Sequence, residues 1–407
     1  MTQRRLHPLA GLLGGVLSLV ITFGAHAGPK VYVGNFKDNT VSVIDAGTAA
    51  VIATVPVSAG PHGMTATPDG RTVFVAGDGS STVSAIDTAT DRVVKTIEVG
   101  KTPHGLAMLP DGKLLLAAVY GEDRIAFVDT ATRSAIASVP VAKPHTLAVR
   151  PDGKLAYVAS QEPGKFALVV IDIDARTVLR SVPLDKPPRD PEFAPDGKSL
   201  YFTLAGVNAL NVLDPATDEV VAEIPTGASP HIGGVFRNAS VGTVVVQGPG
   251  EIQLFNPATN RPVRTIAVGK QPHWMAPSAD GKTLYVTNEG SNEVTIIDLA
   301  TAQTRSVAVG NAPRKVVVPN VAAASMGAKV SIANFTFVPA TTTIAAGESV
   351  TWTNDDGAPH GLAYADGSKG TDLLLPGASF SRSFDKQGTY AYVCAVHPYM
   401  QGTVVVR

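Results

Sequence analysis

Residues 61–76 read Pro61-His-Gly-Met-Thr-Ala-Thr-Pro-Asp-Gly-Arg-Thr-Val-Phe-Val-Ala76, and the opening of this phrase returns six more times along the chain. It recurs as Pro103-His104, Pro144-His145, Pro230-His231 and Pro272-His273, and as Pro188-Arg189 and Pro313-Arg314. The residue after the proline is therefore 62, 104, 145, 189, 231, 273 and 314, at spacings of 42, 41, 44, 42, 42 and 41. A fixed period in this range marks a supersecondary unit repeated around or along an axis.

Each unit has the same order of parts. An apolar strand follows the Pro-His and ends in Pro-Asp-Gly, at 68–70, 110–112, 151–153 and 195–197, with Ala279-Asp280-Gly281 in the corresponding place. Asp-Gly between apolar runs is a hairpin signal. A second strand comes next (Thr72 to Ala76, Leu155 to Ala159, Thr283 to Thr287), then a third ending in Ile86-Asp87, Val128-Asp129 or Ile297-Asp298, then a Val-rich fourth such as Val93 to Val99. Four strands per 40-odd residues read as a β-propeller blade, and seven units read as seven blades. The chain enters with strands two to four of a blade (Lys30 to Val57) and leaves with only a first strand (Ala312 to Pro319). Pairing the two ends completes the seventh blade and removes open edges. The wording resembles the YVTN family of propellers over roughly residues 30–319, and Tyr285-Val286-Thr287-Asn288 spells that family's tetrapeptide. The resemblance implies a fold and little about function, because propellers host many activities.

The first strand of a propeller blade lines the central channel, so His62, His104, His145, His231 and His273 are expected to circle one mouth of it, with Arg189 and Arg314 in the two remaining places. Two of the nine histidines, His7 and His26, precede residue 28, so five of the other seven lie here. Three readings stand side by side. The imidazoles are inherited packing elements of a duplicated unit, or with the arginines they form a pocket for an anion or polar ligand, or some of them, such as the trio His62, His104 and His145, hold a second metal. The two arginines count against a ring-wide metal site, since fixed positive charges repel a cation.

Composition narrows the function classes. The 407 residues carry 33 Lys plus Arg against 34 Asp plus Glu, a net charge of −1, which leaves no electrostatic footprint for nucleic acid. Gly (39) and Pro (30) supply turn chemistry for many short strands, and 44% hydrophobic residues suffice for a core. Arg4 and Arg5, an apolar run from Leu9 to Phe23 and Ala25-His26-Ala27 have the pattern of a secretory signal cleaved after Ala27, implying a periplasmic or secreted protein. The run is short for a membrane span, and no later segment is long enough. No Ser-His-Asp arrangement, phosphate loop or H-E-x-x-H helix is present. The expected division is a signal over 1–27, a seven-bladed propeller over 28–319, a small-residue linker over 320–328 and a second β domain over 329–407.

That last part reads as strands at Lys329 to Phe337, Thr341 to Ile344, Ser349 to Asn354, Ser379 to Phe384, Thr389 to Val393 and Gly402 to Arg407, with no helix, which suits a small sandwich. The chain's single cysteine lies here, in Cys394-Ala-Val-His397-Pro-Tyr-Met400, and a second histidine, His360, follows the Ser349 strand. An exported protein normally pairs its cysteines, and Cys394 has no partner in the chain. One thiolate, two imidazoles and a thioether are the donor set of a blue-copper centre, whereas zinc normally takes more thiolates or a carboxylate. The region resembles the cupredoxins, of the short-loop amicyanin and plastocyanin type, at Val350-Thr-Trp352, Pro359-His360, Gly388-Thr-Tyr390 and the Cys394–Met400 loop. The resemblance implies His360, Cys394, His397 and Met400 as copper ligands. It also implies that His397 reaches the surface in an apolar patch, here with Pro359, Pro398 and Tyr399. Gly361 stands where that family typically has an Asn tying the two ligand loops together, so a different stability or potential is expected of this site.

The sequence therefore points to an exported type 1 copper protein. It would transfer single electrons to or from a redox partner such as a cytochrome or dehydrogenase, with the propeller as docking scaffold or second site. A copper-dependent oxidoreductase with its active site at the His/Arg mouth is the rival reading. A non-redox copper- or ligand-binding protein is the third.

Overall fold

The structure is a computed structural model that describes residues 29–319 apart from 237, 238 and 240, and residues 328–406 apart from 345–348, 369 and 385. The expected export signal and residues 320–327 of the expected linker lie outside the described residues. The fold is all-β, with one short 3-10 turn among the described residues, at Tyr120–Glu122. Residues 30–317 form seven four-stranded antiparallel sheets, the blades of a propeller. The ring closes as the sequence implies: Pro313–Val317 pairs with Lys30–Asn35, through Tyr32 opposite Val317 and Val33 opposite Val316.

Two repeated turns give the blades their shape. In the first, Gly70 donates its N–H to Thr67 O at 2.8 Å, and Asp69 Oδ1 accepts the Arg71 N–H at 3.0 Å. Gly70 sits at φ +68°, a region open mainly to glycine, and Gly112, Gly153, Gly197 and Gly281 repeat it at +69° to +74°. In the second, the aspartate ending the third strand accepts backbone N–H groups two or three residues on: Asp45 from Thr48, Asp87 from Thr90 and Asp129 from Thr132, all at 2.7–2.8 Å. Second strands such as Thr72–Gly77 are buried on both faces between neighbouring blades. Outer strands such as Ala50–Pro56 are largely exposed.

The innermost strands set the site geometry. Pro61 pairs with Gly77, then the ladder resumes only at Met64 opposite Val75, leaving His62 and Gly63 in a bulge. The same shift follows Pro103, Pro144 and Pro230. Bulges re-aim side chains, and here they turn His62, His104, His145 and His231 out of the ladder. Glycine is needed beside some of them, since a Cβ on Gly63 would lie 2.3 Å from His104 O in the next blade.

Residues 328–406 form two further sheets. One orders Thr336–Val338, Ala328–Ala333, Ser349–Asn354 and Ser379–Ser383 side by side. The other orders Thr341–Ile344, Gln401–Val406, Gly388–Val393, His360–Tyr364 and Thr371–Leu374. Their facing sides bury one cluster that includes Trp352, Tyr392, Phe337, Val350 and Val404, together with Cys394 and Met400. Three details differ from the sequence reading. The expected strand over Lys329 to Phe337 breaks at Asn334 and Phe335, both at positive φ, and two strands, His360–Tyr364 and Thr371–Leu374, were not foreseen. They are short, and only Leu362, Tyr364 and Leu374 of their apolar side chains reach the core.

Candidate metal centre

Cys394, fully buried, directly follows the strand Gly388–Val393, and the turn it opens is closed by Met400 N–H donating to His397 O and Cys394 N–H donating to Met400 O, both at 3.0 Å. This turn folds His397 back over the thiol, while His360, also fully buried, approaches from the adjacent strand. The three donor atoms form a near-equilateral triangle: Sγ of Cys394 to Nδ1 of His360 is 3.5 Å, Sγ to Nδ1 of His397 is 3.7 Å, and Nδ1 to Nδ1 is 3.3 Å. A trigonal ion with bonds of about 2.0 Å to nitrogen and about 2.3 Å to sulfur requires N···N near 3.5 Å and N···S near 3.7 Å. The triangle fits such an ion. Among the described residues it is the one group of three His, Cys, Asp or Glu side chains whose ligand atoms all lie within 4.8 Å of one another.

The surroundings complete the centre. The His397 backbone N–H donates to Cys394 Sγ at 3.3 Å, which favours a thiolate. Met400, 3% exposed, is buried in the same cluster as Cys394. His360 Nε2 lies 3.0 Å from Asp356 Oδ2, and the Asp356 carboxylate also accepts the N–H groups of Asn334 and Phe335 at 2.6 and 2.9 Å. The Phe335 N–H above all holds this carboxyl below the usual carboxylate range. The clip sets the Phe335 ring edge-on to both imidazoles, 5.4 Å from His360 and 5.0 Å from His397.

Asp356, Phe335 and the buried Asn354 are contributors that the sequence reading missed. Asn354 donates from Nδ2 to Ala358 O and Leu374 O, both at 2.8 Å, fixing the loop that precedes His360. At Gly361, where the family typically has Asn, the two ligand loops are joined through backbone, because Ala395 N–H donates to Gly361 O at 3.3 Å. His397 is half-buried, and Pro359, Pro398 and Tyr399 are exposed, Tyr399 to 69%.

In the propeller the five histidines do converge. Ring contacts run from His145 to His104 (4.1 Å), His104 to His62 (3.9 Å), His62 to His273 (5.5 Å) and His273 to His231 (4.2 Å). His62 and His104 stack face to face, 28° apart, so their ring faces meet, unlike the ligand-atom triangle around Cys394. Burial first, and then the neighbouring imidazoles, keep His62 and His273 well below the usual histidine range and His145 at about 3, so these rings are neutral at pH 7. His104 and His231 have aspartate partners, Asp78 at 3.1 Å and Asp190 at 3.0 Å. Arg314 is committed to Glu289 at 3.0 Å and stacks over Phe36, while Arg189 is half-buried on its strand.

Comparison with known proteins agrees with both halves. Residues 22–112 match the YNCE-like β-propeller family, and residues 324–407 match the copper-binding proteins of the plastocyanin/azurin family. Over 84 residues the chain is 42% identical to chloroplastic plastocyanin of Tetradesmus obliquus, covering 17% of this chain and 58% of that protein. It is 37% identical to amicyanin-alpha of Methylorubrum extorquens, covering 19% and 71%. The chain thus spans little more than half the length of the first of these relatives. Among solved structures, hydrazine synthase of Kuenenia stuttgartiensis superposes with a TM-score of 0.62 at 22% identity, over 70% of this chain and 99% of that one, a likeness of fold. The residues that match its relatives, and the donor triangle they build, show that this chain belongs to the plastocyanin/azurin family of copper-binding proteins through a cupredoxin domain that follows a seven-bladed β-propeller.

Proposed function

We propose that this protein is an exported one-electron carrier. His360, Cys394, His397 and Met400 hold one type 1 copper, and the propeller serves as docking scaffold or second site. The observation that carries the reading is the triangle of 3.3, 3.5 and 3.7 Å around Cys394. Bound copper supplies one-electron chemistry at a site whose trigonal donors suit both oxidation states. The chain's part is to hold those donors still. Asn354 fixes the loop before His360, the Ala395–Gly361 bond joins the two loops, and the buried cluster around Trp352 and Tyr392 fills the space beneath. Rigid donors keep reorganisation on electron transfer small. The reading is supported by the secretory pattern of residues 1–27; among the described residues no helix is long and apolar enough to cross a membrane.

Asp356 tunes this centre as a positioning residue. Its fixed negative charge faces the far nitrogen of His360, which favours the more positively charged, oxidised site. Asp356→Asn keeps the shape and removes the charge. Voltammetry of the copper-loaded variant is expected to show a higher midpoint potential with the visible band retained; an unchanged or lowered potential contradicts this role.

The exposed Pro359, Pro398 and Tyr399 are the face through which a redox partner, a cytochrome or dehydrogenase, reaches His397. Tyr399 is the aromatic side chain in it, with its ring 6.0 Å from that of His397. Tyr399→Lys is expected to slow electron self-exchange, in which two copies meet through this face, by about tenfold or more, because like charges then oppose each other and an aromatic anchor is gone. Line broadening in NMR spectra of mixed oxidation states measures this rate, and an unaltered rate removes the face from the route.

A further inference from the structure

The residue that follows the repeated His or Arg is Gly63, Gly105, Thr146, Asp190, Ile232, Trp274 and Lys315 in turn. Charge enters this register only in the two repeats where arginine stands in place of histidine. Their innermost strands, Pro188–Phe193 and Pro313–Val317, lie three blades apart, the greatest separation a ring of seven allows. Asp190 and Glu192 therefore face Lys315 across the channel, in a chamber of about 490 Å³ that Met64, Leu106, Trp274 and Met275 also line.

Asp190 is already engaged with His231. Glu192 and Lys315 are different. Among the described residues, neither side chain has a hydrogen bond or an ion pair within 4.0 Å; the Lys315 ammonium lies over the Trp274 ring instead, 2.8 Å from its centroid. Burial pushes the Glu192 carboxyl up to about 7 and the Lys315 ammonium down to about 7. Each is half-buried on the chamber wall without a counter-charge in contact, and such groups cost stability unless something pairs with them.

We propose that the propeller channel binds a small zwitterion, an amino-acid-like molecule whose carboxylate meets Lys315 and whose ammonium meets Glu192. A simple anion would neutralise Lys315 and make the Glu192 charge still less favourable, and a simple cation would do the reverse. A ligand carrying both signs settles both walls at once. Apolar side chains such as Met64, Leu106 and Met275 line the wall between them, where the methylene groups of such a ligand would lie. The site stands apart from the copper centre and does not depend on its function.

Calorimetric titration of the copper-loaded full-length protein with glycine, 4-aminobutanoate and 6-aminohexanoate tests this, with butanoate and butylamine as single-charge controls. At least one of the amino acids is expected to bind ten times or more tighter than both controls. Glu192→Gln and Lys315→Met should each weaken that binding about tenfold or more, since each leaves one charged end of the ligand without its counter-charge. Both substitutions keep the approximate shape of the side chain and remove an unpaired charge, so a propeller transition melting no lower than that of the parent protein identifies a folded variant. Binding of no amino acid with a Kd below about 10 mM, equal binding of the controls, or undiminished binding by both folded variants overturns the proposal.

Discussion

Replacing Cys394 with serine is expected to abolish the intense visible absorbance of the copper-loaded protein while leaving it folded. The band of a blue-copper centre belongs to the thiolate–copper bond, and Cys394 is the chain's only cysteine. The hydroxyl of Cys394→Ser would sit at the same fully buried point, within reach of His360 and His397 nitrogens that can bond to it. The folding cost is thereby held to about 1–2 kcal/mol. Loss of colour with an unchanged far-ultraviolet spectrum and a melting temperature within a few degrees is the expected result. A variant that keeps its band would move the chromophore elsewhere. A variant that unfolds leaves the question to His397→Ala, whose half-buried side chain is easier to remove and which should also lose the band.

The second large effect concerns the ring. Val316 is 1% exposed in Pro313–Val317, the strand that joins the end of the propeller to its beginning, and it pairs with Val33. Val316→Asp places an unpaired carboxylate between apolar side chains, at a cost of about 4 kcal/mol or more. The closing strand has no other sheet to join, so that cost falls on the propeller as a whole. Its melting temperature should drop by on the order of 10 °C. The core around Trp352 and Cys394 is built from residues 330–406 alone, so the blue band should persist through the propeller transition. Val316→Ala, which only removes methyl groups, should cost about 2 kcal/mol. Differential scanning calorimetry with the visible band followed in parallel separates the two events. Equal stability of Val316→Asp and the parent protein would deny this strand its closing role.

The parts of this account that were legible in the sequence share one physical property: they recur, or they have a fixed short spacing. Asp-Gly turns need a glycine at positive φ, so four Pro-Asp-Gly and one Ala-Asp-Gly in register could be read as five hairpins. The split seventh blade followed from counting strands at the two ends. Cys394, His397 and Met400 lie within seven residues, and their donor types pointed to a metal before any geometry was known. What escaped depends on single residues meeting across space. Asp356 reads as an ordinary loop carboxylate until Asn334, Phe335 and His360 are seen to converge on it. Phe335 reads as part of a continuous strand, and the break beside it is set by those same bonds. Glu192 and Lys315 read as solvated charges; only aligning the seven repeats shows that their strands depart from the others, and only the ring places them face to face.

The histidines fall between these cases. Their convergence was expected from the place of the first strands around the channel, but the stacking of His62 on His104, and the commitment of Arg314 to Glu289 and Phe36, were not readable from spacing. Those contacts distinguish the channel mouth from the copper-binding triangle, where donor atoms rather than ring faces come together.

The most direct test of the central claim is a redox titration of the copper-loaded full-length protein, with copper per chain determined on the same sample. The expected result is one copper per chain and a single reversible couple with the one-electron slope of about 59 mV per decade. The couple should disappear in Cys394→Ser. No bound copper, or a couple that survives loss of Cys394, would contradict the claim.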